Sequence, residues 1–306
     1  MISGRGNNKL IQKLGLGVFG LSVFGLVGCA GSHFKSEEKQ SRTEPILRII
    51  DAHTHLDSGG LEPNKSKEEM LKVYLLEQEK AQVVGSVVLT QTLSKTSYVD
   101  THGKNIVQCA GLAIPGPLPY SQLERDLSSK RFRCIKIYLG YIQRYASDPE
   151  YQRVYKMAER YQVPVVFHTG DVSRQDGLLK YSDPLTIDEV AVKNRKVTFV
   201  IAHCGNPWIQ SAAEVAYKND NVYLDGSAFL TGDLDQTSPE KIDEYMIKPL
   251  KWVFGFIENP NKLMFGTDWP LTKMAPYVAA FKKAIPKQYW QKVFHDNAVK
   301  VFGMNP

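Results

Sequence analysis

The sequence predicts an α/β fold, a (β/α)8 TIM barrel, over residues 46–306. Eight apolar runs of strand length alternate with segments that carry helix-start signals, which is the pattern of this fold. The runs are rich in Val, Ile, Phe and Tyr, as strands buried on both faces are. They cover residues 46–52, 82–89, 106–113, 132–139, 164–167, 197–202, 222–224 and 262–265. The alternative is an open doubly wound sheet, but the turn after the first run lacks the glycines that such a sheet usually places there.

Four of the intervening segments begin with a residue that caps helices. Ser66 and Glu69 form a capping-box pattern, which predicts a helix to about Lys80. The other three starts place proline at the first helical position, where its missing N–H does no harm. These starts lie at Asp148, Asp183 and Ser238, and the helix from Asp148 is expected to end near Gln162.

Residues 1–28 have the layout of a bacterial lipoprotein signal peptide. A basic start without acidic residues precedes an apolar stretch at 14–27 that is too short to span a bilayer comfortably. Leu-Val-Gly-Cys then ends at Cys29 and resembles the lipobox, whose cysteine is lipidated; a plain cleaved signal is the alternative. Residues 29–45 are predicted to be the lipidated cysteine and a polar, flexible tether. We therefore expect a membrane-anchored protein of the bacterial cell envelope, at the outer membrane in a Gram-negative cell because Ala30 is not acidic.

The charge balance gives no reason to expect a nucleic-acid partner. Half of the formal net charge of +6 lies in residues 1–28, and no basic run interleaves with aromatic residues. The remaining basic excess is interpreted as solvated surface.

Three cysteines besides Cys29 lie in predicted strands. Their spacing is not that of a zinc ribbon, and Cys behaves as a small apolar residue in a core. We expect Cys109, Cys134 and Cys204 to be free buried thiols, with a disulfide as the alternative if the compartment is oxidising.

Four of the seven histidines follow predicted strands, and in a barrel the carboxyl ends of the strands meet at the mouth where active sites lie. His53 and His55 are two apart, so on a strand both face one side and can chelate one ion. His168 and Asp268 end two other strands and are suited to complete a zinc-type site with one position left for water. His203 also ends a strand. The pattern predicts metal-assisted chemistry, because a bound ion lowers the pKa of its water toward ~7.

The motifs at these strand ends resemble the amidohydrolase superfamily, and they look closest to the branch that includes aminocarboxymuconate semialdehyde decarboxylase. They read Asp-Ala-His-Thr-His, Phe-His-Thr-Gly, Ile-Ala-His-Cys-Gly-Asn-Pro-Trp and Phe-Gly-Thr-Asp-Trp-Pro. The resemblance implies one divalent metal ion held by His53, His55, His168 and Asp268. Three histidines and a carboxylate suit zinc best, but manganese, iron or cobalt would also fit. The resemblance also implies that His203 polarises the water or the substrate, that Asp268 accepts the proton of the attacking water, and that the protein can be a homodimer.

Lys136 and Arg174 are the two basic residues that the resemblance places near the site. In two-metal members a lysine on the fourth strand is carboxylated and bridges two ions, and His203 would then ligate the second. In the one-metal branch, which we favour, Lys136 meets a substrate carboxylate; a structural ion pair is the third interpretation. Arg174 follows His168 and can form a bidentate contact with a carboxylate or phosphate. The alternative is that it simply lies on the surface.

Three functions are compatible with these residues. The first is hydrolysis of a C–N or C–O bond in a small molecule, with Asp268 shuttling the proton. The second is decarboxylation of an unsaturated or aromatic acid, which members of the same branch perform. The third is a non-catalytic surface lipoprotein, which a full set of ligands disfavours.

Overall fold

The computed structural model describes residues 47–57, 64–94 and 97–306. Cys29, the signal peptide at 1–28 and the tether at 29–45 lie outside these residues, so the anchor stays a prediction. No helix in the described ranges is long and apolar enough to cross a membrane.

Eight parallel strands form one sheet in sequence order, which confirms the predicted (β/α)8 barrel. The strands are β1 Ile49–Thr54, β2 Val83–Leu89, β3 Ile106–Gly111, β4 Cys134–Tyr138, β5 Val165–His168, β6 Phe199–Ile201, β7 Val222–Asp225 and β8 Leu263–Met264. The backbone closes the barrel between its first and last strands, since the N–H of Ala52 donates to the carbonyl of Phe265 at 3.0 Å.

The described helices connect the strands, with short 3-10 and π turns between them. They are α1 Lys67–Ala81, α2 Tyr120–Ser128, α3 Leu139–Ile142, α4 Pro149–Tyr161, α5 Thr186–Lys193, α6 Ile209–Lys218, α7 Pro239–Ile242, α8 Lys248–Phe256, α9 Met274–Ala284 and α10 Asn297–Phe302. The capping box of Ser66 and Glu69 is present, and Pro149 and Pro239 lie in the first turns of their helices as predicted. The start predicted at Asp183 is wrong by two residues, because Pro184 lies in a turn and α5 begins at Thr186.

Strand alternation divides the core into two apolar clusters. Outward-facing residues such as Ile135 and Ile137 pack under the helices, whereas inward-facing residues fill the barrel. The interior is closed at the N-terminal ends of the strands by Phe302 and Met304 at the end of the chain. Every described strand, helix and core residue lies within 46–306, so this segment holds the complete core of a folding unit.

The prediction of three free thiols is wrong for two of them. Cys109 on β3 and Cys134 on β4 are register partners inside the barrel and form a disulfide. Only Cys204 is a free buried thiol among the described residues. The sequence could not show this pairing, because it depends on which β3 residue lies opposite Cys134.

Candidate metal centre at the barrel mouth

His53 and His55 converge on one carboxylate from the end of β1. The Nε2 atoms of the two rings lie 3.5 and 3.2 Å from Oδ1 of Asp268. Each ring is fixed through its other nitrogen: Nδ1 of His53 donates to Asp225 at 2.9 Å, and Nδ1 of His55 donates to the carbonyl of Leu89 at 2.6 Å. The lone pairs on both Nε2 atoms therefore face Asp268.

His168 and His203 face each other across the same space. Nε2 of His168 donates to the carbonyl of Asp171 at 2.8 Å, which leaves a lone pair on Nδ1. The Ser227 hydroxyl donates to Asp225 and so accepts from Nδ1 of His203, which leaves a lone pair on Nε2 of His203. These two acceptor nitrogens lie 3.2 Å apart, a spacing that a cation between them would stabilise.

The donor set fits a divalent metal ion. His53, His203 and Asp268 each place one ligand atom within 4.8 Å of the others, and all three residues are buried. Two ligands bound at ~2.1 Å in a tetrahedral site lie roughly 3.4 Å apart, close to the spacings around Asp268. Nε2 of His53 and Oδ1 of Asp268 are also buried without a hydrogen bond inside the protein. An ion ligated by these atoms would satisfy both.

The ionisation of these residues suits a cation. Burial, aided by the neighbouring His53, lowers the pKa of His203 to about 3, and burial also lowers the pKa values of His53 and His168. Burial opposes ionisation of Asp268, yet the surrounding histidines hold its pKa well below its usual range. Burial opposes protonation of His55, but the adjacent Asp268 carboxylate raises the pKa of His55. Metal binding requires neutral imidazoles beside an ionised carboxylate, so an ion bound there would displace the proton that Asp268 favours on His55.

His203 and Asp268 both have left-handed backbone conformations, with φ of 59° and 65°. Such residues cost about 1–3 kcal/mol each and persist only where surrounding contacts enforce them. Here the N–H of His203 donates to Asp225 at 3.0 Å, and the N–H of Asp268 donates to the carbonyl of His53 at 2.8 Å. Backbone hydrogen bonds thus hold both residues in the conformation that brings their side chains to the centre.

The family model described as Amidohydrolase matches residues 50–304. The chain belongs to the amidohydrolase family. None of the curated proteins compared with the chain matches it.

Solved structures share the fold of this amidohydrolase at low identity. A zinc-bound amidohydrolase from Burkholderia multivorans is 13% identical with a TM-score of 0.64, over 84% of this chain and 99% of that one. A probable 2-pyrone-4,6-dicarboxylic acid hydrolase from Acinetobacter baumannii is 15% identical, with a TM-score of 0.56 and coverage of 83% and 99%. A dihydroxybenzoic acid decarboxylase from Polaromonas sp. JS666, with bound manganese and an inhibitor, is 13% identical, with a TM-score of 0.58 and coverage of 84% and 96%.

Asp225 is a candidate positioning residue that the sequence prediction did not assign. One of its oxygens accepts from His53 and the other from the backbone of His203, so it fixes two candidate ligands at once. A carboxylate that orients a ligating histidine typically matters nearly as much as the ligand itself. Its position at the end of β7 was the available signal, since the four histidines and Asp268 also lie at or just after strand ends.

Lys136 lies beneath the centre on β4. Its side chain is fully buried, and Nζ makes no hydrogen bond within the described protein. Burial, against the attraction of Asp225 and Asp268, lowers its pKa to about 8. Lys136 is not among the residues that line the cavity above it, but its Nζ lies 5.3 Å from the ring of Tyr138, which does line the cavity.

A cavity of about 290 Å³ opens above the candidate metal centre. The residues that line it are His55, Asp57, Gln91, Ala113, Tyr138, Tyr141, His168, Ser173, Arg174, His203, Asp268, Pro270 and Leu271. Arg174 lies at the exposed rim, where its Nε donates to Asp176 at 2.9 Å, so its guanidinium already has a partner. Tyr141 and Ser173 bond to each other at 3.1 Å and join the two loops that border the opening.

Proposed function

We propose that this amidohydrolase is a metal-dependent hydrolase that cleaves a C–N or C–O bond of a small molecule with an activated water. One observation carries the proposal: four histidine lone pairs and a buried carboxylate converge at the floor of a cavity of small-molecule size. Second-layer hydrogen bonds fix every one of these rings, as a preorganised ligand set requires.

We propose His53, His55, His168 and Asp268 as the ligands of one ion, with His203 beside them. A divalent ion held there would supply Lewis acidity and an acidified water. Nitrogen-rich donor sets favour zinc, which the Burkholderia neighbour binds, whereas the Polaromonas neighbour binds manganese. Lys136 enters the proposal as a positive neighbour of the carboxylates, and its carboxylation would instead add a second ion.

Asp268 is the proposed proton carrier. It takes a proton from the water as the water oxygen bonds to the substrate carbonyl, and it returns that proton to the leaving nitrogen or oxygen as the old bond breaks. His203 borders the same cavity and, on our proposal, contacts the carbonyl oxygen of the substrate. Asp225 holds His53 and the His203 backbone in place throughout.

Decarboxylation of an aromatic or unsaturated acid is the second candidate. The manganese-containing decarboxylase that shares the fold favours it. The two reactions differ in their products, since hydrolysis adds water to the substrate and decarboxylation releases CO2.

The test is a product screen on residues 46–306 purified with their bound ion. Lactones, esters and amides are assayed by acid release, and hydroxybenzoates by CO2 release, beside an Asp268→Asn variant. Hydrolysis that chelation abolishes would support the proposal. Chelation-sensitive CO2 release without hydrolysis would replace it with the second candidate, and turnover that survives complete ion removal would contradict both.

We also propose that the protein is exported and anchored through Cys29. The disulfide between Cys109 and Cys134 supports export, because disulfides persist mainly in oxidising compartments. Mass spectrometry of the membrane fraction would show an acylated Cys29, whereas an unmodified chain in the cytoplasm would contradict the proposal. The homodimer that the resemblance implies stays a prediction.

A further inference from the structure

The two ends of the barrel carry opposite charge. The segments that lead into strands lie at the N-terminal end of the barrel. In these segments the exposed basic residues outnumber the exposed acidic residues. The exposed acidic residues are Asp100, Asp220 and Glu258. The exposed basic residues of these segments are Arg48, Lys104, Lys130, Arg131, Arg195 and Lys196. First turns of helices, at the mouth end, carry acids such as Glu68 and Glu150 instead.

Helix dipoles explain only part of this asymmetry. Basic residues in last turns, such as Lys80 and Lys218, complement helix C-termini, and both pair with nearby acids. Arg48, Lys104 and Lys130 lie outside the helices, and none of them forms an ion pair with a residue that the structure describes. Their charge is therefore available to a partner.

A cluster of three exposed aromatic rings reaches this end from the last two turns of α8 and the last turn of α6. Tyr217 and Phe256 lie in the last turns of α6 and α8 and pack against each other, and Trp252 stacks on Phe256 at 4.9 Å. Tyr217 is 54% exposed and Trp252 is 41% exposed, so both rings are accessible to a partner. Tyr and Trp are enriched where proteins contact the water–lipid interface.

Lys300 is exposed on α10, close enough to Lys262 to influence its charge. We propose that the N-terminal end of the barrel rests on an anionic phospholipid surface, through Arg48, Lys104, Lys130 and Lys300 with Tyr217 and Trp252. The chain also enters the barrel at this end, since β1 begins there, so an anchor on the upstream segment would pull this surface toward the membrane. The mouth and its metal centre then face away from the lipid, toward dissolved substrate. The inference concerns a different surface from the proposed active site and does not depend on the reaction.

The test is vesicle binding by residues 46–306, which lack the predicted anchor. Vesicles of phosphatidylcholine are compared with vesicles that also contain phosphatidylglycerol, by co-sedimentation at low and high salt. Each basic residue near an anionic surface is expected to strengthen binding about fivefold, and salt should weaken it as the Debye length shrinks. Trp252 fluorescence should shift to the blue on binding, and Trp252→Phe should lose the shift while binding within about twofold of wild type.

Charge reversal supplies the decisive control. Replacing Arg48, Lys104, Lys130 and Lys300 with Glu should lower binding more than about a hundredfold, whereas Lys180→Glu with Lys241→Glu at the mouth should leave it unchanged. The single variants Lys104→Glu and Lys300→Glu keep the test valid if the fourfold variant does not fold. Equal binding to both vesicle types, no binding to either, or binding to a DNA duplex in preference to vesicles would overturn the proposal.

Discussion

Two buried lysines mark the difference between the ends of this barrel. Lys262 at the N-terminal end and Lys136 at the mouth are 7% and 0% exposed, and burial lowers the pKa of each to about 8. Nζ of Lys262 donates to the carbonyls of Asn219, Asp220 and Val222, at 2.6 to 3.0 Å. Nζ of Lys136 donates to no described group. Nζ of Lys262 is thus satisfied within the protein, whereas Nζ of Lys136, like Nε2 of His53 and Oδ1 of Asp268, has no hydrogen-bond partner among the described residues.

The polar layer at the mouth and the apolar layer below it are separated by one inward-facing position along a strand. On β4 the inward position below Lys136 is Cys134, and on β7 the position below Asp225 is Tyr223. The lower layer is apolar and excludes water, which strengthens the electrostatic interactions of the polar layer on top of it. We therefore expect substitutions in the upper layer to affect ion binding and turnover, and those in the lower layer to affect stability.

The largest effect is expected for Asp268→Asn in the upper layer. Loss of the proton carrier should reduce turnover about 10²–10⁴-fold, while the melting temperature is kept. Steady-state kinetics and thermal melts measure the two quantities, with exposed Asp235→Asn as the control. Turnover within a few-fold of wild type would remove Asp268 from the mechanism.

Phe302→Ala tests the lower layer. Removing a ring that is 3% exposed should lower the free energy of unfolding by about 3–5 kcal/mol without changing the ion content. Denaturant titration measures the change, and Leu76→Ala, at a site 58% exposed, should change stability by less than about 0.5 kcal/mol. If Phe302→Ala lost its bound ion as well as stability, the lower layer would also be needed for ion binding.

Asp225→Asn tests the roles of the upper and lower layers on a single strand, β7. Without the carboxylate that fixes His53, ion affinity should fall about 10–100-fold. Competition with a chelator of known affinity measures this change. Tyr223→Phe, one inward step lower, should keep wild-type affinity, and an equal loss in both variants would contradict the assigned role.

The two lysines should respond in opposite directions to substitution by Met. Lys136→Met removes an unpaired buried cation and should raise the free energy of unfolding by about 1 kcal/mol or more in ion-free protein. Lys262→Met leaves carbonyls unpaired and should lower it by about 1–3 kcal/mol. Urea titrations of both variants and the wild type measure these changes in the free energy of unfolding. Ion content that falls from two to one in Lys136→Met would instead establish the bridged two-ion site.

The smallest effect concerns pH. Folding lowers the pKa of Lys262 from 10.5 to about 8, so between those values the unfolded chain binds more protons and stability rises with pH. Melts from pH 8 to pH 10 should therefore show wild type gaining stability relative to Lys262→Met. A difference in stability between wild type and Lys262→Met that stays constant with pH would mean that Lys262 is solvated in the folded state.

Local pattern was enough to predict the strands and the strand-end histidines, because buried parallel strands and capping residues leave clear sequence signals. The roles of Asp225 and Lys136 were not predictable, since they depend on which side chains meet across the barrel. The grouping of His203 with His53 and Asp268 depends on two left-handed residues that the sequence does not reveal. The disulfide likewise depends on the β3–β4 register.

The most direct test of the account is the number of divalent ions bound per chain in residues 46–306, measured by native mass spectrometry beside a His53→Ala/Asp268→Asn variant. One bound ion is expected in the wild-type segment and none in the variant, with both proteins folded. A folded wild-type segment that binds no ion after incubation with zinc or manganese would contradict this expectation.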